Sequence, residues 1–192
     1  MNDSDSLQVI NQYNLTGRQL SWRDYRRIFY RLMSNPTPAM TSVILEKRNE
    51  LGPLENVVAV HIRCGGQLAD TQEKFVFVSM ERLICFPSPI KEFLQQQQSI
   101  QNMYLTTDSS VAEEYIRLSF QKMKVYSLAS YQRGHSTRHF VTNDTLIRSI
   151  LDMYLAAQAK HLVYTDKSSF TAAISILGNA PDRLCLKSEK SH

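Results

Sequence analysis

At 192 residues the chain fits one domain, or one domain with a short arm, and is long enough to bury a core. With 43% hydrophobic and 21% charged residues it has the composition of an ordinary globular protein, which excludes a disordered or fibrous chain. A formal charge of +4 and a pI near 9.0 favour an anionic ligand, but the basic residues are scattered outside the 23–31 stretch, so nucleic acid is not indicated as a partner.

The start, Met1-Asn2-Asp3-Ser4-Asp5, lacks the basic residues and apolar segment of a secretory signal. No apolar run is long enough to span a bilayer, so no membrane insertion by this chain is expected. The sequons at Asn2, Asn14 and Asn143 are three-residue patterns that arise often by chance and carry little weight. Trp22, Tyr25, Ile28, Phe29 and Leu32 fall at helical spacing until Asn35-Pro36-Thr37-Pro38 breaks the run. A second helix is expected over 39–51, stopped by Gly52-Pro53.

Residues 57–62 then form a continuous apolar, β-branched run, the pattern of a strand covered on both faces. From here strands and helices alternate. Strands are expected at 103–106, 125–128, 161–164 and 183–186, with 75–78 ambiguous between strand and helix. Helices are expected at 89–94, continuing into the glutamines of 95–98, over the stripe Val111, Tyr115, Leu118 and Phe120, and over Ile147, Ile150, Leu151, Tyr154 and Leu155 after the capping-competent Thr142-Asn143-Asp144. A last helix is expected over 169–177, ended by Gly178. This alternation predicts right-handed crossovers and a Rossmann-like, doubly wound α/β domain: a mostly parallel sheet with helices on both faces, preceded by a helical N-terminal arm. The expected division is an arm over 1–54, a domain over 55–187 and a polar tail over 188–192.

In such a sheet ligands bind beyond the carboxyl ends of the strands. The first exit, His61-Ile62-Arg63-Cys64-Gly65-Gly66, puts a histidine and an arginine two apart on one face before two flexible residues. The arginine fork suits phosphate oxygens, and Gly65 and Gly66 would let backbone N–H groups approach an anion; a strand-end ion pair and a glycine turn would read the same way. At the second exit Asp108, in Thr106-Thr107-Asp108-Ser109-Ser110, is suited either to a base edge or ribose or to capping the next helix. The third, Tyr164-Thr165-Asp166-Lys167-Ser168-Ser169-Phe170, feeds a helix whose first amides and hydroxyls suit an anion or a simple cap.

Several other chemistries are excluded. Cys64, Cys85 and Cys185 form no CxxC pair or ligand cluster, so neither a zinc site nor a disulfide scaffold is indicated. His135 and His139, four apart, lack a helix and an acidic third ligand and read as a polar loop. A cysteine-phosphatase loop would place an arginine six residues after Cys64, where Asp70 stands, and there is no GxGxxG, GxxxxGK[ST] or GxSxG.

Val58-Ala59-Val60-His61-Ile62-Arg63-Cys64-Gly65-Gly66 resembles the first donor-binding motif, H-x-R-x-G-D, of the GDP-fucose-dependent fucosyltransferases. Tyr104-Leu105-Thr106-Thr107-Asp108 resembles their second motif. Leu151-Asp152-Met153-Tyr154-Leu155-Ala156, with Lys160-His161-Leu162-Val163 and Ser168-Ser169-Phe170, resembles their third, and the resemblance covers roughly residues 55–180. It implies the C-terminal, nucleotide-binding half of a two-lobed GT-B fold that transfers fucose from GDP-fucose to a glycan or protein hydroxyl with inversion, without a metal or other cofactor. It further implies that Arg63 holds the β-phosphate and offsets charge on departing GDP, that His61 and Asp108 contact the nucleoside, and that Ser168, Ser169 and Phe170 cradle the pyrophosphate. The partners so implied are a GDP-sugar and a glycan or glycoprotein acceptor, in the Golgi or ER lumen if the chain is part of a longer family member.

The sequence departs from the motif at Gly66, where the family often has aspartate. Asp70 is the nearest candidate for a general base, although an exposed loop aspartate is commonly just a solvated charge. The alternatives are a catalytically inactive GDP-sugar-binding module, or an interaction module using the basic 23–31 helix on a Rossmann-like core.

Overall fold

The computed structural model describes residues 22–70, 75–97, 99–129, 143–166, 168–178, 180 and 182–188. Two compact units divide at Asn35 and Pro36. The described part of the first is one helix, α1 (Trp22–Met33), with Asp24 in its first turn and Arg31 in its last, each matched to the helix dipole.

The second unit opens with α2 (Pro38–Leu51). Thr37 caps it by accepting from the Met40 amide at 3.3 Å, Pro38 occupies the first turn, and Gly52 ends it with φ of 79°. After a 3₁₀ turn (Leu54–Asn56) the chain enters β1 (Val57–Ile62), followed by α3 (Met80–Ile84), α4 (Pro87–Gln95), β2 (Asn102–Thr107), α5 (Ser110–Ser119), β3 (Lys124–Tyr126), α6 (Asn143–Gln158), β4 (His161–Thr165), α7 (Ser169–Leu177) and β5 (Asp182–Leu186). All five strands are parallel, in the order β3-β2-β1-β4-β5. The order reverses at β1, between its two neighbours β2 and β4, so the crevice beyond their carboxyl ends is the topological switch point.

All six residues of β1 are buried, which explains its unbroken apolar run. Alternate residues serve opposite faces. Val58, Val60 and Ile62, with Met103, Leu105 and Val163, pack against Leu83, Ile90 and Ile116 of α3, α4 and α5. Val57, Ala59, Tyr104 and Leu162 pack against Leu151 and Leu155 of α6, Ile174 of α7, and Ile44 and Leu51 of α2. The latter two place α2 in the core of the sheet unit, although the sequence grouped it with the N-terminal arm. A side-chain bond from Asn102 to the Leu51 carbonyl at 2.9 Å ties the end of α2 to β2.

Residues 75–78, ambiguous in sequence, form no strand: Val76 makes an isolated antiparallel bridge to Gly65 and the chain then enters α3. Helix α3 was not anticipated, because five residues cannot display a helical stripe. The glutamine run extends α4 only to Gln95, with Gln96 as its cap. Thr142 and the 135–139 loop lie outside the described residues.

Leu105→Ala should cost about 2–5 kcal/mol in urea unfolding, since Leu105 is fully buried between β2 and its covering helices. Leu118→Ala, at a side chain 60% exposed, should change stability by less than about 0.5 kcal/mol.

Candidate functional site

The β1 exit lies where the switch point requires. Because β1 alternates, His61 shares with Val57 and Ala59 the face covered by α6 and α7, while Ile62 falls on the other with Cys64, and Arg63 follows the end of the strand. His61 is aligned with Thr106 on β2 and with Tyr164 on β4. Its Nδ1 lies 2.8 Å from Thr106 Oγ1 and its Nε2 3.0 Å from Ser168 Oγ, so both ring nitrogens are occupied whichever carries the proton. Phe170 stacks on the imidazole at 4.8 Å between centroids. The end of β1 and the start of α7 are thereby joined through one buried side chain.

A serine on histidine Nε2, with Nδ1 held by a second group, resembles a nucleophile and its base. The environment disables that chemistry. Burial, assisted by the neighbouring Arg63 charge and only partly opposed by Thr106, lowers the His61 pKa to about 3. An imidazole so tuned cannot accept a proton near neutrality, and His61 is a neutral strut.

Ser168 is the N-cap residue of α7, yet its side chain makes no cap bond to its own helix. In contrast, Thr37, Ser79 and Ser109 each accept from an amide of the helix they precede. With its hydroxyl at His61, Ser168 makes no cap bond to α7, whose first amides form the positive end of the helix dipole, and Asp166 stands two residues before it.

Arg63 follows β1 and is tied to β4 by its backbone N–H, which donates to Thr165 Oγ1 at 2.9 Å. Its guanidinium, with the side chain 16% exposed, lies 3.2 Å from Asp108 Oδ2 and 5.6 Å from the centroid of Phe77. Asp108 does not cap α5, a task taken by Ser109, whose Oγ accepts from the Ala112 amide at 3.1 Å. Its carboxylate accepts from the amides of Cys64 at 2.8 Å and Gly65 at 2.9 Å.

Both glycines have the left-handed backbone that favours this residue, with φ of 62° at Gly65 and 55° at Gly66. A Cβ on Gly65 would stand 2.3 Å from the Phe75 carbonyl oxygen, and one on Gly66 2.5 Å from the Val76 side chain. Their amides, expected to face an anion, are turned inward. Gly65 N–H goes to Asp108, and Gly66 N–H donates to the Phe75 carbonyl at 2.8 Å. The glycines therefore supply the turn and close packing.

Asp70 sits across from these groups, against the start of α5: Oδ1 accepts from both the amide and the hydroxyl of Ser110 at 2.7 Å. Cys64 is fully buried, and burial together with the Asp108 charge pushes its thiol pKa up to about 12, so it offers no thiolate. Among the described residues no group of three His, Cys, Asp or Glu side chains could hold a metal ion. No described helix is long and apolar enough to cross a membrane.

The structure thus gathers His61, Arg63, Gly65, Gly66 and Asp108 on linked strand exits, and brings His61 to Ser168 and Phe170. It sets Asp70 on the β2 side, while Ser169, at the α7 start, is exposed. Sequence reasoning missed Thr106 and Thr165, whose hydroxyls hold His61 and the Arg63 backbone. Threonine at a strand end reads as a β-former, and only the register with β1 reveals the contact.

This α/β unit, a five-stranded all-parallel sheet flanked by helices, has the Rossmann-like fold of the GT-B fucosyltransferases. It is similar to the NodZ α-1,6-fucosyltransferase co-crystallised with GDP, with a TM-score of 0.53 and 14% identity over 83% of this chain and 47% of that one. It is similar also to POFUT1 in complex with GDP-fucose, with a TM-score of 0.55 and 9% identity over 83% of this chain and 50% of that one. A third likeness is to selenomethionine-labelled fucosyltransferase NodZ from Bradyrhizobium, with a TM-score of 0.52 and 15% identity over 83% of this chain and 47% of that one. The chain spans about half the length of these proteins. No family model matches the chain, and no curated protein matches it.

The lowered His61 pKa has a direct consequence for stability. Protonation favours the unfolded chain, so the contribution of neutral His61 is complete above its ordinary value of 6.5 and is lost as pH falls toward about 3. Asp152 opposes this: burial raises its pKa from 3.8 to about 6, so its own contribution declines as pH rises through that interval. In urea unfolding from about pH 7 to about pH 4, His61→Gln should lose less stability on acidification than wild type, by up to about 1.4 kcal/mol per pH unit. Parallel pH profiles would show that His61 titrates in the folded protein as it does in a peptide.

Proposed function

We propose that this chain is the donor-binding half of a glycosyltransferase, one that moves fucose from GDP-fucose to a glycan or protein hydroxyl with inversion and without a metal. The observation that carries this reading is that Arg63 and the start of α7 follow adjacent strands at the switch point, β1 and β4, tied by the Arg63 N–H to Thr165 Oγ1 and by His61 to Ser168. A guanidinium fork and a helix N-terminus that its own Ser168 does not cap are two anion-seeking elements of different origin, and on adjacent strand exits they suit a diphosphate better than a single phosphate. The GDP and GDP-fucose named with the structural neighbours supply the choice of nucleotide.

In the proposed reaction the acceptor hydroxyl oxygen attacks the fucose anomeric carbon as the bond from that carbon to the β-phosphate oxygen breaks, GDP leaves, and the hydroxyl proton passes to water. Negative charge grows on departing GDP, and Arg63 with the amides of Ser169 and Phe170 at the α7 start is the group we assign to meet it. His61 and Asp108 sit on the donor side, with Gly65 and Gly66 shaping the turn. Asp70 is given no proton-transfer role, because its acceptor oxygen is already engaged by Ser110.

A second reading, an inactive GDP-sugar-binding module, is favoured by one specific observation: the carboxylates of Asp70, Asp108 and Asp166, which follow the β1, β2 and β4 exits, are each engaged by internal hydrogen bonds. Titration calorimetry with GDP, followed by measurement of GDP release from GDP-fucose, separates the two. Saturable GDP binding is expected under both, weakened about 10- to 100-fold by Arg63→Ala, the worth of a charge-assisted hydrogen bond. GDP release, with an acceptor or with water, is expected only of the enzyme. Absence of GDP binding by folded wild type removes both readings and leaves an interaction module on the same core.

A further inference from the structure

We propose that Asp108 and Asp70 are positioning residues for Arg63, a pair of carboxylates exchanged between the loops after β1 and β2 that fixes the guanidinium for a diphosphate, and that neither contacts the nucleoside. This rests on the anion-site reading and deepens it. The geometry is reciprocal. The β2 loop sends the Asp108 carboxylate to the β1 loop, where it receives the amides of Cys64 and Gly65 and the guanidinium of Arg63. The β1 loop returns the Asp70 carboxylate to the β2 loop, where it receives the amide and hydroxyl of Ser110. The Asp70 amide closes the circuit by donating to the Asp108 carbonyl at 2.8 Å.

Three donors leave Asp108 little capacity for another partner, and its side chain is only 9% exposed. To meet a ribose or base edge it would have to release an amide that holds the turn. What the carboxylate does accomplish is to hold one arm of a planar fork. Because a guanidinium is rigid, holding one nitrogen at Asp108 and one face over Phe77 sets the plane of the whole fork. Gly65 makes this possible, since its left-handed backbone turns the amide toward Asp108 and any Cβ would collide with the Phe75 carbonyl.

The test uses two probes, inorganic pyrophosphate, which has no nucleoside, and GDP. Titration calorimetry is carried out on wild type, Asp108→Asn, Asp70→Asn, Arg63→Ala and the two double variants. Asp108→Asn should weaken pyrophosphate and GDP by the same factor, on the order of 10-fold, and Asp70→Asn by about 3-fold, as hydrogen bonds to charged groups imply. In the Arg63→Ala background neither change should weaken binding further, a coupling that general loosening of the fold would not produce. If Asp108→Asn fails to give a folded protein by circular dichroism, Asp70→Asn carries the same comparison at an exposed helix start.

Weakened GDP binding with unchanged pyrophosphate binding would place these carboxylates on the nucleoside and overturn the proposal, as would additive losses in the Arg63→Ala background. Wild-type binding left intact in both variants removes this proposal alone. A wild type that binds neither probe removes the anion-site reading and the proposal together.

Discussion

Strand β1 has no face toward water. It is hydrogen-bonded to a parallel neighbour on each side and covered by helices above and below, so any polar group it carries must be satisfied within the protein or lie past the edge of the sheet. His61 takes the first course and Arg63 the second. The imidazole is held by one hydroxyl from β2 and one from the start of α7, while the guanidinium emerges where the strand has ended. Because β1 is also where the strand order reverses, the group that cannot stay inside emerges at the crevice that such folds use for ligands.

The same constraint explains what could be read from the sequence. Strands β1, β2 and β4 were legible within a residue or two because they are buried along nearly their whole length, and the edge strand β5 through its apolar end, while the longer helices between strands present an apolar stripe. The exits were legible too: His61 and Arg63 fall two apart before a glycine pair, and Ser168 opens a helix directly after a strand. What the sequence could not show was how the donors and acceptors were used. Asp108 was compatible with a ligand or a helix cap and instead grips the Cys64 and Gly65 amides. Gly65 and Gly66 signalled an accessible backbone, whereas their N–H groups face inward to Asp108 and Phe75. The Asp108 bonds join loops more than 40 residues apart in the chain, and the Gly66–Phe75 bond closes a shorter loop, partnerships that neither periodicity nor local spacing encodes. Helix α3 was missed for the opposite reason, being too short to have a period.

Beneath the exits the α6 face of the sheet carries further buried polarity. Tyr104 donates to Asp152 Oδ1 at 2.6 Å, and Arg148 approaches the other oxygen at 3.4 Å, both inside the core. Tyr104 and Thr106 share one face of β2, so α6 is pinned to the strand one layer below the hydroxyl that holds His61. An apolar trio would pack at least as favourably. What the buried pair adds is register, since sliding α6 by a turn would strand a charge with no partner. The position of α6, which with α7 covers His61, is therefore fixed by a polar contact as well as by Leu151 and Leu155.

The Arg63–Asp108 pair sets two demands against each other. An arginine with no acidic neighbour would offer an anion its whole charge, but its long side chain would lose more rotational freedom on binding. Pairing it with Asp108 orders the fork in advance and offsets its charge, so the attraction that any anion at this exit would feel is reduced by a carboxylate 3.2 Å from the guanidinium. The start of α7 adds the positive end of a helix dipole, roughly half a charge, to which Ser168 makes no cap bond. The His61–Ser168 contact therefore draws the serine hydroxyl away from its own helix, just as Asp108 draws one nitrogen of the Arg63 fork. At both exits the polar group that local spacing would assign to a cap or a ligand is engaged by a partner from a distant part of the chain.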